Sequence, residues 1–137
     1  MNIFTVNGAH YKSNCLPGLN DLLREAERHP IAYNRLKKEM ETIIISCIRR
    51  DLRGWKPNGL CQLNIVYGEK SKGNRRDYDN VVAAARKLIN DALVKSGTLK
   101  DDNPSYLLYG KNKFMYTDEV FVRVEIEVLN DADRSNL

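Results

Sequence analysis

Cysteine is scarce and poorly placed for either of its structural uses. The chain has three, Cys15, Cys47 and Cys61, an odd number with no Cys-x-x-Cys pair. Its two histidines, His10 and His29, stand in no metal-ligand spacing with them. A zinc site is therefore not expected, and the thiols read as reduced residues of a cytoplasmic protein. No stretch approaches the roughly 18 consecutive apolar residues that span a bilayer. The first residues, MNIFTVNGAHYKSN, lack the apolar run of a secretory signal. The expectation is a soluble cytoplasmic chain with no membrane partner. Internal repeats and low-complexity tracts are missing as well.

What remains is an ordinary globular composition, 42% apolar and 29% charged over 137 residues. That length suits one domain spanning 1–137 with its own core, and the polar residues 130–137 are expected to fray. The net charge of +4 permits a polyanionic partner without requiring one, so the argument turns on where the charges sit.

Periodicity divides the chain. Residues 3–6 form a short β-type run ended by Asn7-Gly8. Asn20 or Asp21 caps a helical pattern over 22–53, with Leu36, Met40, Ile44, Cys47 and Ile48 at helical spacing. His29-Pro30 divides that pattern in two, because a residue before proline avoids the helical region. Residues 60–67 read as a strand, and 68–76 as a basic loop. A second helix runs from Asp79-Asn80 to Ser96, with Gly97 at the position that ends helices. A short strand over 106–109 follows, then a strictly alternating strand over 120–129. The order β-α-β-α-β-β predicts an α+β domain, a mixed sheet with helices packed on it.

Chemistry concentrates in Arg75-Arg76-Asp77-Tyr78-Asp79-Asn80. On an extended backbone Asp77 and Asp79 project to one side and repel each other. A hard divalent cation such as Mg²⁺ relieves that repulsion and keeps sites open for water and phosphate. The spacing equally allows Asp79 to be a helix N-cap and Asp77 a solvated loop charge. Lys70, Lys72, Arg75 and Arg76 precede the pair, suiting either phosphate attraction or a solvated loop. Lys87 leans toward the acids from the same helix face; its alternative is an i,i+4 ion pair with Asp91. Asp101-Asp102 follows the helix as either further ligands or a turn. They reach Asp77 and Asp79 only if the segment after the helix runs back along it or a sheet edge serves both ends.

Three blocks in order, Asp77-Tyr78-Asp79-Asn80, then Asn90-Asp91-Ala92-Leu93-Val94-Lys95-Ser96-Gly97, then Leu99-Lys100-Asp101-Asp102, resemble the RusA family of Holliday junction resolvases. Upstream, Leu16-Pro17-Gly18-Leu19-Asn20 and Lys37-Lys38 look like its phage-borne and Gram-positive branch. The resemblance implies a RusA-like fold and a homodimeric endodeoxyribonuclease that uses Mg²⁺, or Mn²⁺ in its place. Such an enzyme makes paired symmetric nicks in four-way DNA junctions during recombination and repair. It implies Asp77, Asp79 and Asp102 as catalytic carboxylates and metal ligands, Lys87 as the catalytic cation, and Asn80, Asp91 and Asp101 as supporting residues. The interval from Asn80 to Lys87 departs from the family's by about one helical turn, roughly 6 Å. Ala83 holds the position nearer the acids, so Lys72, Arg75 or Arg76 is the alternative cation. Two other functions fit the same residues, a nuclease for flaps or forks and a DNA-binding module that does not cut. The long helix and the alternating strand are both candidate dimer surfaces.

Overall fold

The computed structural model describes residues 2–73 and 75–130, so the expected frayed tail from 131 onward lies outside the described residues. The elements are β1 (Ile3–Asn7), α1 (Leu19–Arg28), α2 (Pro30–Leu52), β2 (Cys61–Lys70), α3 (Tyr78–Lys95), β3 (Leu107–Thr117) and β4 (Phe121–Val128). They build one small α+β domain, a four-stranded mixed sheet in the order β1-β4-β2-β3 with three helices.

The helical run divides where proline demands it. His29 sits in extended backbone and its ring Nδ1 accepts the Ile31 N–H at 3.1 Å, so it caps α2, and Pro30 fills the first-turn position that needs no donor. Leu36, Met40, Ile44, Cys47 and Ile48 form the buried stripe of α2. That stripe and the apolar face of α3 (Val81, Ala85, Leu88, Ala92) pack against the sheet residues Phe4, Val6, Leu63, Ile65, Tyr67, Val122, Val124 and Ile126. The alternate sheet residues, among them Thr5, Gln62, Asn64, Arg123 and Glu127, form the second, wetter face.

β1 and β2 flank β4 antiparallel, whereas β2 and β3 are parallel. A parallel pair requires a crossover, and α3 supplies it. β4 is therefore an interior strand, and β3 is the long edge.

Two strands run further than periodicity indicated. β2 continues through Gly68, Glu69 and Lys70, so the basic loop begins only after Lys70. β3 has 11 residues, and its pattern is broken by a bulge opposite Leu63–Ile65. There the Asn64 side chain accepts the Lys111 N–H at 2.9 Å. A Cβ on Gly110 would lie 2.2 Å from that same Asn64 oxygen, which explains the glycine.

Candidate functional site

The site is built on a buried ion pair. Glu69, 2% exposed, points from the end of strand β2 into the interior. Its carboxylate accepts from Arg76 Nε at 2.8 Å and Nη2 at 2.9 Å. The third guanidinium nitrogen of Arg76 lies 3.6 Å from Asp21 of α1, and Asp21 in turn accepts the Gly18 N–H at 2.8 Å. The Tyr116 hydroxyl of β3 donates to the Arg76 carbonyl at 2.7 Å. One arginine thus ties β2, β3 and α1 together at the point where α3 begins. It is a framework residue, with little of its charge left for a phosphate.

The next residue starts the helix. Asp77 Oδ1 accepts the Asn80 N–H at 2.9 Å, so Asp77, and not Asp79, is the N-cap of α3. Asp79 occupies the first turn, where a carboxylate suits the helix dipole. It is exposed and makes no hydrogen bond or ion pair with another described residue. Asn80 is a structural connector. Its side-chain oxygen accepts the Asn20 N–H at 2.9 Å, and it fills the space over Gly18, where a Cβ would sit 2.8 Å away.

The cations divide into two groups. Lys72 and Arg75 are exposed in the segment that leads into the two acids, Lys72 without a partner among the described residues and Arg75 over the Tyr116 ring at 4.9 Å. Lys70 instead donates to Ser13 at 2.6 Å. Lys87 makes the i,i+4 ion pair with Asp91 at 3.5 Å, and Lys37 of α2 approaches the same carboxylate at 3.3 Å. Ten residues past Asp77, Lys87 lies about 15 Å along the helix axis from the acids. Asp91 is thereby a link between α2 and α3.

Asp101 and Asp102 stand at the other end of α3. Asp101 closes a turn, accepting the Asp102 N–H at 2.7 Å and the Asn103 amide at 3.1 Å, and the Asn103 carbonyl accepts the Leu107 N–H at 3.0 Å. Leu107 begins β3 opposite Cys61, whereas Tyr116, which touches Arg76, lies near its far end. The 18 residues of α3 separate the two groups by roughly 27 Å of helix. The segment that returns alongside the helix is β3 itself, which starts only after Asp102. Within one chain Asp77 and Asp79 share the start of α3, and Asp102 does not join them. Among the described residues no three histidine, cysteine or acidic side chains gather to hold a metal ion.

Three features of the site escaped the sequence. Glu69 falls within 68–76, the stretch expected to be a basic loop, yet it is the buried partner of Arg76. Asn20 or Asp21 was expected to cap the helix, but the N-cap of α1 is Gly18, and Asp21 sits at the third helical position, where it accepts the Gly18 N–H and approaches Arg76. The aromatic residues Tyr78, Phe114 and Tyr116 come together, with Tyr78–Phe114 centroids 5.8 Å apart and Phe114–Tyr116 edge to face at 5.3 Å. An alternation through Phe114 and Tyr116 was the available signal, masked by the Gly-Lys-Asn-Lys of the bulge.

The thiols take no part in this chemistry. Burial pushes the Cys15 thiol up to about 12, with Glu69 nearby adding to the shift, and pushes Cys61 up to about 11. Burial also raises Cys47. Protonated thiols are neither nucleophiles nor metal ligands. No described helix is long and apolar enough to cross a membrane. No protein-family model matches the chain, and curated proteins give no significant match.

Proposed function

We propose that the protein is a divalent-cation-dependent endodeoxyribonuclease of branched DNA, a homodimer acting on four-way junctions as its RusA-like motifs imply. The observation that carries this reading is the pair Asp77 and Asp79 at the start of α3, preceded in the chain by the exposed cations Lys72 and Arg75.

The donors suit Mg²⁺ or Mn²⁺. Asp79 is unengaged among the described residues, and capping uses only one oxygen of Asp77. Magnesium sites are commonly made from one or two carboxylates, with waters and substrate phosphates filling the other positions. An ion held there supplies a water activated for in-line attack on phosphorus and offsets charge on the phosphate. The chain's own groups do the rest. Asp77 and Asp79 supply the ligand oxygens. Arg75 and Lys72 draw the phosphodiester toward them and neutralise its non-bridging oxygens. The Glu69–Arg76 pair keeps the carboxylates rigid relative to β2.

Asp102 enters this reading through the dimer. β3 is an edge strand with one row of unpaired backbone groups. Two copies paired antiparallel along β3 would bring the start of one strand to the end of the other. Asp102 of one chain would then lie beside Asp77 and Asp79 of the second, twice over about a two-fold axis. Lys111 and Lys113 on this edge repel a second copy; DNA phosphates crossing the seam would relieve that repulsion.

The test is cleavage of a mobile four-way junction with and without Mg²⁺, beside three-way and flap substrates. Paired symmetric nicks in the four-way junction alone are expected, abolished by Asp79→Asn. Undiminished cleavage by that variant in Mg²⁺ would overturn the reading. One observation favours a DNA-binding module that does not cut, the engagement of Lys87 and Asp91 with each other away from the acids. Salt-sensitive junction binding with no Mg²⁺-dependent cleavage would establish that alternative.

A further inference from the structure

The aromatic side chains beside the two acids are costly in water and unexplained by the core. Tyr78 and Tyr116 are each 43% exposed, although both rings have an aromatic neighbour in Phe114. Arg75 lies over Tyr116 at 4.9 Å. Further along the same side of β3, Tyr109 is 45% exposed and carries the Arg86 guanidinium 3.5 Å above its ring. The buried Tyr67 hydroxyl, which has no hydrogen-bond partner among the described residues, interacts electrostatically with Arg86, Tyr78 and Tyr109. A row of exposed rings faced by guanidinium groups therefore runs between α3 and the β3 edge. The β3 sequence contributes Lys111 and Lys113 and no acid.

Rings with cations over their faces are the surface on which unpaired nucleobases stack. Protein interfaces also enrich tyrosine, phenylalanine and arginine, but they deplete lysine, and this edge carries Lys111 and Lys113. Tyr78 is also the residue between Asp77 and Asp79. A base resting on its ring places that nucleotide's own phosphate within reach of the carboxylates. A base held inside a duplex has no free face to offer.

We propose that Tyr78, Phe114 and Tyr116, with Arg75, form a stacking shelf for an unpaired base, and that this shelf selects DNA with unstacked nucleotides at a branch point. The proposal rests on the nuclease reading for the role of the neighbouring carboxylates, and the shelf itself stands on ring geometry alone. Tyr78 is a substrate-positioning residue. Its hydroxyl has no partner among the described residues, so the phenol ring is the part that matters.

The experiment uses a four-way junction carrying 2-aminopurine next to the branch point, a matched duplex with the same label, and Ca²⁺ in place of Mg²⁺ to prevent cutting. Wild-type protein is expected to quench the junction label and leave the duplex label unchanged. Tyr78→Leu is expected to lose the quench and weaken junction binding by roughly 5- to 150-fold, the usual worth of one stacked base. Duplex binding should stay the same, and Tyr78→Phe should restore the wild-type signal. Unaltered quenching and affinity in Tyr78→Leu would overturn the proposal. So would an effect confined to oligomeric state, which would make the rings a contact between copies. The two readings separate cleanly. Mg²⁺-dependent cleavage indifferent to Tyr78 removes the shelf and keeps the nuclease, and Tyr78-dependent quenching without any cleavage does the reverse.

Discussion

Arg76 grips Glu69 with two nitrogens, at 2.8 and 2.9 Å, beneath the first turn of α3, and both side chains are almost out of contact with water. The pair places the start of the helix, and with it Asp77 and Asp79, against the end of β2. Removing one member strands the other charge in the interior, which typically costs about 3–5 kcal/mol. Arg76→Met is therefore expected to lower the urea midpoint severely, and Glu69→Leu in the same chain should return much of the loss. A single Arg76→Met variant with an unchanged midpoint would show that the pair does not hold this end of the fold.

On the nuclease reading Asp77 has two separable duties. As N-cap it satisfies a backbone donor, and asparagine caps as well as aspartate. Asp77→Asn should melt within about 0.5 kcal/mol of wild type, while Asp77→Ala should lose about 1 kcal/mol. Both should lose Mg²⁺-dependent cleavage, because neither carries the ligand charge. Cleavage retained by Asp77→Asn would leave Asp77 a cap and nothing more.

The fold was largely legible because it follows from patterns the chain states directly. Leu36, Met40, Ile44 and Cys47 marked α2, His29-Pro30 marked its start, and the alternation over 120–129 marked β4. The lower half of β3 was hidden because Gly110 and the two lysines interrupt period two at a bulge, whose reason is the Asn64 side chain on another strand. The candidate site was legible in part. The adjacency of Asp77 and Asp79 is local and was visible. The separation of Asp102 depends on α3 being the crossover between parallel strands, and no motif encodes that. The engagement of Lys87 with Asp91 was the i,i+4 alternative read from spacing, and Lys37 of α2 reinforces it.

The two groups of cations should behave differently. Lys72→Ala and Arg75→Ala are each expected to weaken DNA binding on all substrates and to reduce the salt dependence by about one phosphate contact. Lys87→Ala should change cleavage less than about threefold, since Lys37 still holds Asp91 and exposed pairs contribute roughly 0.3–0.5 kcal/mol. Fluorescence anisotropy over a salt series measures the first effect, and a single-turnover rate measures the second. A hundredfold rate loss in Lys87→Ala would return that lysine to the chemistry.

Acid stability reports on the opposite corner of the domain. Arg50 donates to Asp51 and to the Thr5 carbonyl, while Asp51 accepts the Thr5 N–H at 2.9 Å, fastening α2 to β1. The hydrogen bond from Arg50 holds the Asp51 carboxyl below its usual value. A depressed carboxyl stabilises the fold above its unfolded pKa, near 3.9, and that contribution fades as pH falls through the lower folded value. Asp51→Asn should be less stable than wild type at pH 7, and the gap should narrow below about pH 4. Parallel stability curves for the two proteins between pH 7 and 3 would refute the linkage.

The separation of Asp102 from Asp77 and Asp79 makes a prediction about mixtures. If Asp102 acts across a dimer, a homodimer of Asp79→Asn has two broken sites, and so does a homodimer of Asp102→Asn. A mixed dimer places both substitutions in one site and leaves the other intact. Mixing the two inactive proteins and allowing subunits to exchange should then restore nicking of a four-way junction, one strand at a time. With half the dimers mixed and one working site in each, the recovered rate should approach a quarter of wild type. If each site instead draws all its acids from one chain, every mixed dimer carries two broken sites and nothing is regained. Activity already present in Asp102→Asn alone would remove that residue from the chemistry and leave Asp77 and Asp79 as the whole carboxylate set.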